Sequence, residues 1–394
     1  MSDQIAQPIF LSTPGIANAL GADWAEVNEN LFAGDLRGLE TRRHLQDGRM
    51  VPVGTVNFEP APLPENLAKW DSRNNRLTFH CLQQIQPAIV HAIEVYGRSR
   101  VGVVIGTSTS GIEQSEMAVA QFVKSQSWPE GFDLTRQELG DPAAFVVAVT
   151  GIQGPHFCVS TACTSGAKAL ASAARMLRAN ICDVVVAGGV DTLCGLTLNG
   201  FSVLDSIAPE RCNPFSLNRS GINIGEGGAL FLVTRDEGEI RLAGFGESAD
   251  AFHLSAPDPE GKGARLAIMQ ALDAADIKPG DISYINLHGT ATRLNDAMEA
   301  NVTHSIFGDS VLCSSTKAMT GHMLGAAGSS EAAFIAMALL RGEAPPHIWD
   351  GEKDDALPSI QLADQLSQSV SDRYMLSCSY AFGGNNAAII LARE

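Results

Sequence analysis

The sequence predicts an α/β protein whose central helices are covered by sheet on both sides. Three observations carry this reading: short β-branched runs alternate with Ala-rich stretches, two of those stretches are apolar nearly all round, and three short motifs recur in one order. Val101 to Ile105, His156 to Ser160, Val184 to Ala187, Ala229 to Val233, Tyr284 to Leu287, Val311 to Ser314 and Ala387 to Leu391 read as strands. Ala167 to Arg178 and Ser330 to Arg341 read as helices, with too little polar surface for a solvent-facing side.

The recurrences divide the chain. Gly106-Thr107-Ser108-Thr109 returns as Gly289-Thr290-Ala291-Thr292, each copy after an apolar strand. Cys158-Val159-Ser160-Thr161 returns as Cys313-Ser314-Ser315-Thr316, each leading into a long Ala-rich helix, and Ala187-Gly188-Gly189 pairs with Phe382-Gly383-Gly384. Two similar halves are expected, 1–236 and 237–394, joined at Thr234-Arg235-Asp236-Glu237-Gly238 without a Pro- or Ser-rich linker.

Composition narrows the function classes. With 45% hydrophobic and 18% charged residues in 394, the chain has the profile of a folded protein. Its 27 basic and 44 acidic residues give a net charge of −17, which opposes nucleic acid and anionic membrane as partners. Met1 to Leu20 carry no basic residue ahead of an apolar run, and no stretch of 18 apolar residues occurs, so a cytoplasmic protein is expected. The eight cysteines form no CxxC pair, and neither a P-loop nor a GxGxxG after a strand is present. No metal, disulfide framework or nucleotide cofactor is expected.

Three residues stand in reactive company. Ser160-Thr161-Ala162-Cys163-Thr164-Ser165-Gly166 places Cys163 between a strand and a helix start, where free N–H groups and the helix dipole favour a thiolate. His288 in Asn286-Leu287-His288-Gly289-Thr290 and His322 in Lys317-Ala318-Met319-Thr320-Gly321-His322 both lie where backbone donors are available. Converging on Cys163, two imidazoles would hydrogen-bond one carbonyl oxygen and stabilise an enolate that develops from it.

These motifs, TACTSG around Cys163, HGTAT from His288, STKAMTGHMLGAAG with Lys317 and His322, and the closing Phe382-Gly383-Gly384-Asn385-Asn386, resemble the elongating β-ketoacyl-[acyl-carrier-protein] synthases over almost the entire chain. The resemblance implies a thiolase-like fold: two pseudo-symmetric βα halves in a five-layered α-β-α-β-α core. It implies an acyltransferase in which Cys163 takes an acyl group from acyl carrier protein, and malonyl-carrier protein then loses CO₂ and attacks the acyl-enzyme. Under it, the Cys163 and Phe382 N–H groups form an oxyanion hole before the flexible Gly383-Gly384, and Phe382 gates access of the second substrate. His288 and His322 bind the malonyl thioester, Lys317 with Glu331 sets the electrostatics, and Thr290 and Thr292 receive the pantetheine arm. Asp296 and Glu299 are supporting residues on one helix face. Phosphopantetheine arrives on the carrier, so the enzyme itself needs no cofactor. The implied partners are acyl carrier protein and either a second copy or a related synthase-like chain-length factor.

The chain departs from the family pattern at Arg293 in place of Pro after HGTxT, Ser216 in place of Asp in the PFD segment, and Asn385 in place of Thr. These changes place it nearer to the short synthases of aryl-polyene and polyketide-like clusters. Carrier docking is expected at Lys69, Arg73 and Arg76, on an amphipathic segment whose Leu77, Phe79 and Leu82 face inward, with Arg42 and Arg43 as a weaker choice. A non-catalytic chain-length-factor-like subunit would lack the nucleophile. A degradative thiolase would need a CxG cysteine that the Cys378 context does not supply, and an initiating synthase carries Asn where His322 stands.

Overall fold

The computed structural model describes residues 7–364, 366–371 and 373–394. Up to residue 234 run β1 (Phe10–Leu11), β2 (Gly15–Asn18), α1 (Trp24–Ala33), β3 (Arg42–His44), β4 (Met50–Pro52), α2 (Arg73–Tyr96), β5 (Val101–Gly106), α3 (Ile112–Ser125), α4 (Asp141–Thr150), β6 (His156–Val159), α5 (Ser165–Arg178), β7 (Val184–Asp191), α6 (Gly195–Val203) and β8 (Gly227–Thr234). Then follow β9 (Ile240–Ala249), α7 (Lys262–Ala275), β10 (Tyr284–Asn286), α8 (Arg293–Phe307), β11 (Leu312–Ser314), α9 (Lys317–Thr320), α10 (Ala327–Arg341), β12 (Glu343–Ala344), β13 (Gln361–Leu362), β14 (Gln368–Ser369), β15 (Tyr374–Tyr380) and β16 (Asn385–Arg393). Every run read as a strand is one, and both Ala-rich helices are present.

One hydrogen-bonded path runs β13-β11-β10-β15-β16-β9-β1-β8-β7-β5-β6, with β2 on β8. Within it β6, β5 and β7 are parallel and β8 antiparallel to β7. The same order recurs as β11, β10 and β15 parallel, with β16 antiparallel to β15. The two-residue β1 joins these runs by pairing with both β8 and β9. The first two recurrences therefore occupy matching places, at the ends of β5 and β10 and along β6 and β11. The third does not, because Ala187-Gly188-Gly189 lies inside β7 and Phe382-Gly383-Gly384 in the turn after β15.

Side-chain alternation along the strands sorts the core into layers. Val185 and Ala187 pack inward with Phe231, Met375 and Ile389 against α5 and α10, whereas Val184 and Val186 pack outward against α2 and α4. On the other side Ile285, Leu376 and Ile390 pack against α7 and α8. The result is the five-layered α-β-α-β-α stack that the resemblance implies. Close approach of α5 and α10 requires glycine: a Cβ on Gly166 would lie 2.8 Å from the Ser329 nitrogen, and one on Gly328 would lie 2.8 Å from the Ala167 Cβ. These buried helices begin beside the loops that carry the reactive residues.

Candidate active site

Cys163 sits in a tight turn between β6 and α5. Its neighbour Ala162 has φ 53°, a left-handed conformation that L side chains rarely adopt. The turn is pinned by Ser165, whose hydroxyl accepts from the Thr161 N–H at 2.9 Å and donates to the Ala162 carbonyl at 2.6 Å. His322 lies on the stretch between α9 and α10, its N–H donating to the Asn223 carbonyl at 2.7 Å and its carbonyl accepting from Gly225 at 2.8 Å. Its Nε2 stands 2.9 Å from the Cys163 Sγ. The His288 ring, just after β10, crosses that of His322 edge to face at 5.3 Å, with Tyr380 behind it at 5.8 Å.

The thiol and one nitrogen of each imidazole lie within 4.8 Å of one another, a spacing that could surround a metal ion. Tetrahedral zinc would hold sulfur and nitrogen about 3.5 Å apart, given its bond lengths. The 2.9 Å contact is a hydrogen bond instead.

Buried carboxylates hold the loops. Glu299 accepts the His288 and Gly289 N–H groups, each at 2.7 Å, and Asp296 accepts that of Phe215 at 2.8 Å. Both side chains sit on one face of α8, as the sequence indicates, and both are fully buried. Asp191, at the end of β7, does the same for the first half. It accepts the Thr107 hydroxyl at 2.6 Å, the Ser108 and Thr109 N–H groups at 2.9 Å, and the Gly325 N–H at 2.6 Å. Each Gly-Thr loop of the recurring motif is thus tied to a carboxylate, and Asp191 also anchors the loop following His322. Sequence reasoning missed Asp191; the signal available was an acid ending a strand opposite the Thr-rich loop.

The electrostatics invert one expectation. Burial pushes the Cys163 thiol up to about 12, outweighing the Lys317 charge and the Phe382 and Cys163 N–H groups, which all lower it. The helix dipole does not produce a resting thiolate, because Cys163 precedes the α5 cap and is 4% exposed. Both histidines are held well below the ordinary range, first by burial and then by the Lys317 charge. They are neutral at pH 7. Lys317 is buried at the start of α9 and pairs with Glu331 on α10 at 2.5 Å. Burial raises the Glu331 carboxyl and the lysine opposes that rise.

His347, away from the reaction centre, ties two of these loops together. Its Nδ1 accepts from the Ser315 N–H at 3.0 Å and its Nε2 donates to the Pro214 carbonyl at 3.0 Å. Burial lowers it to about 4 from 6.5, so the unfolded chain takes up a proton that the native chain refuses. This ring's contribution to stability is complete above pH 6.5 and is lost as pH falls toward 4. Between pH 7.5 and 5 it should cost about 2 kcal/mol. Urea unfolding at both pH values should show that part of the loss absent from His347→Asn.

The remaining expected residues separate into two groups. Phe382 follows β15, its ring 5.2 Å from that of Phe201, and Gly383 and Gly384 complete the turn with φ 85° and 79°. The Thr290 and Thr292 hydroxyls are 2.9 Å apart. The docking trio, in contrast, does not form a free basic patch. Arg73 is committed to buried Glu226, at 2.7 Å, and to Glu59, at 2.8 Å, while Arg76 pairs with Asp71 at 2.6 Å. The desolvated Glu226 requires a cation, which composition alone does not reveal. Lys69 is exposed, with its ammonium over the Trp70 ring. Leu77 and Leu82 face inward as expected.

A cavity of about 790 Å³ connects these parts; Cys163, His288 and His322 form its buried end, and Thr290, Thr292 and Phe382 line it. Family models described as "Beta-ketoacyl synthase, N-terminal domain" and "Beta-ketoacyl synthase, C-terminal domain" match residues 79–238 and 240–349. The chain belongs to the β-ketoacyl synthase family. It is 29% identical over 410 residues to the 3-oxoacyl-[acyl-carrier-protein] synthase 2 of Staphylococcus aureus (strain COL), covering 98% of each chain. Among solved structures it matches a chain of the ketosynthase (ApeO) in complex with its chain length factor (ApeC) from Xenorhabdus doucetiae, with TM-score 0.95, 42% identity and complete coverage of both chains. A β-ketoacyl synthase from Burkholderia phymatum STM815 shares the fold at TM-score 0.85 and 24% identity, over 98% of this chain and 100% of that one. These likenesses establish the synthase fold in its thiolase-like form. Among the described residues, no helix is long and apolar enough to cross a membrane.

Proposed function

We propose that this synthase condenses malonyl-acyl carrier protein with a Cys163-bound acyl chain, giving a 3-oxoacyl chain two carbons longer. The observation that carries this reading is the meeting of thiol and two neutral imidazoles at the buried end of one cavity. In the first half-reaction Cys163 sulfur attacks the acyl thioester, the pantetheine sulfur leaves, and the proton lost from the thiol ends on the departing pantetheine sulfur. The N–H groups of Cys163 and Phe382 receive the oxyanion. In the second, His288 and His322 donate to the malonyl thioester oxygen as CO₂ departs. The electron pair left on carbon attacks the acyl-enzyme carbonyl, and the Cys163 sulfur leaves as thiolate and takes up one proton from solvent. Neutral imidazoles suit this task, since each donates an N–H to the enolate without giving its proton away.

The carrier brings the pantetheine arm, Thr290 and Thr292 receive it, and the enzyme works in the cytoplasm without a cofactor of its own. The likeness to a chain from a ketosynthase and chain length factor complex supports a second synthase-like chain as partner, in polyene- or polyketide-type elongation. A purely structural chain-length-factor role is disfavoured by the presence together of Cys163, His288, Lys317 and His322. Release of labelled CO₂ from malonyl-carrier protein, followed with the mass of the condensed product, tests the reading. His288→Ala and His322→Ala should each lower decarboxylation by about 10²-fold or more. Wild-type rates in both variants would remove the imidazoles from the mechanism.

A further inference from the structure

The cavity's outer end is built from three separate segments, and their exposed side chains are mostly apolar. Leu204 follows α6, His253 lies in the loop after β9, and Arg293 and Leu294 form the first turn of α8; all four line the cavity and are exposed. Beside them in the same segments stand Val203, Phe252 and Leu254. Of these apolar side chains Val203 is 86% exposed, Leu254 80%, Leu294 62%, Phe252 57% and Leu204 50%. A cluster of large apolar groups at such exposure around one opening marks an interaction surface.

Two exposed charged side chains line the cavity here, the carboxylate of Asp205 beside Leu204 and the guanidinium of Arg293. The net charge is −17, yet the exposed Arg293 makes no side-chain hydrogen bond or ion pair among the described residues. Of the expected basic patch, Arg73 is spent on Glu226 and Arg76 on Asp71, while Lys69 stays exposed. Cys163 is buried at the other end of the cavity, so a macromolecule delivering a thioester arm to it must rest on the rim. The rim is also mechanically joined to the gate. The Gly383 N–H donates to the Leu254 carbonyl at 2.7 Å, and the Asp250 N–H donates to the Gly384 carbonyl at 2.7 Å, so the loop bearing Phe252 and Leu254 is stitched to the turn bearing Phe382.

We propose that the apolar rim of Val203, Leu204, Phe252, Leu254 and Leu294, with Arg293 as its cation, is the docking surface for an acidic carrier protein bearing an acyl-pantetheine arm. This inference rests on the condensing function proposed above. Apolar contact supplies the affinity that two acidic partners cannot obtain from their net charges, and Arg293 supplies the local attraction that sets orientation. Pressure on the Phe252 and Leu254 loop is transmitted to the Phe382 turn through its two backbone hydrogen bonds.

The test compares two acyl donors, an acyl-carrier protein and the small acyl-pantetheine thioester, on Val203→Asp, Phe252→Asp and Arg293→Glu. Each variant should raise the KM for acyl-carrier protein by about tenfold or more, as loss of a buried anchor or a charge reversal does. Val203→Asp and Phe252→Asp should leave Cys163 acylation by acyl-pantetheine unchanged, which also shows that they fold. Unchanged carrier KM in all three variants overturns the docking surface while leaving the condensing function intact. A change in oligomeric state by light scattering with unchanged carrier KM assigns the rim to a second copy and likewise overturns it. Failure of the unaltered enzyme to be acylated by either donor overturns the function itself.

Discussion

Cys163→Ala is expected to lose acyl transfer and condensation by on the order of 10⁴-fold or more, because among the described residues Cys163 is the thiol grouped with the two imidazoles. Cys163→Gln should separate the half-reactions. Its side-chain carbonyl can accept from the Cys163 and Phe382 N–H groups, standing in for the acyl-enzyme, so the malonyl site sees an occupied nucleophile position. Decarboxylation of malonyl-carrier protein should then persist or rise while condensation is absent, as measured by CO₂ release against product mass. Condensation by Cys163→Ala at the wild-type rate would falsify the assignment. The thiol's resting pKa of about 12 adds a further expectation: iodoacetamide should alkylate Cys163 slowly at neutral pH, since only thiolate reacts.

Lys317→Ala should be the most damaging substitution for stability. It strands the Glu331 carboxylate in a site where the pair is almost completely buried, a loss of about 3–5 kcal/mol. Urea unfolding would report it. Lys317→Met with Glu331→Leu should recover much of that loss, because replacing a buried pair by apolar groups of similar size is often close to neutral. Activity separates from stability in this double variant. The Lys317 charge helps to keep His288 and His322 neutral, so its removal raises both histidines. Their acid limb in the pH profile of decarboxylation should move to higher pH relative to the unaltered enzyme. A recovered fold with an unmoved acid limb would restrict Lys317 to a structural role.

Much of this arrangement is legible in the sequence, for identifiable reasons. The strand Val101–Gly106 is apolar throughout and the helix Ala327–Arg341 nearly all round, so burial in a layered core follows from composition and period. The site residues are legible because the chemistry needs rare combinations: a cysteine among small polar residues, and two histidines at loop starts. The short β1 is not legible, since two residues carry no periodicity and their pairing with both β8 and β9 is a tertiary fact. Arg73 misleads for a related reason. A cation on an amphipathic helix reads as solvent-facing, and only the fold brings Glu226, far along the chain, against it. The thiol's high pKa is hidden in the same way: the sequence displays the helix start, whereas the degree of burial depends on loops from elsewhere.

The central claim is that Cys163 is the group acylated by carrier-bound chains. Intact mass of the purified protein after incubation with acyl-carrier proteins of graded length and unsaturation, followed by peptide mapping, tests it most directly. One acyl adduct per chain is expected, located on Cys163, and its yield across the series identifies the preferred acyl group. An adduct located on another residue, or no adduct with any donor in the presence and absence of a candidate chain-length-factor partner, would contradict it.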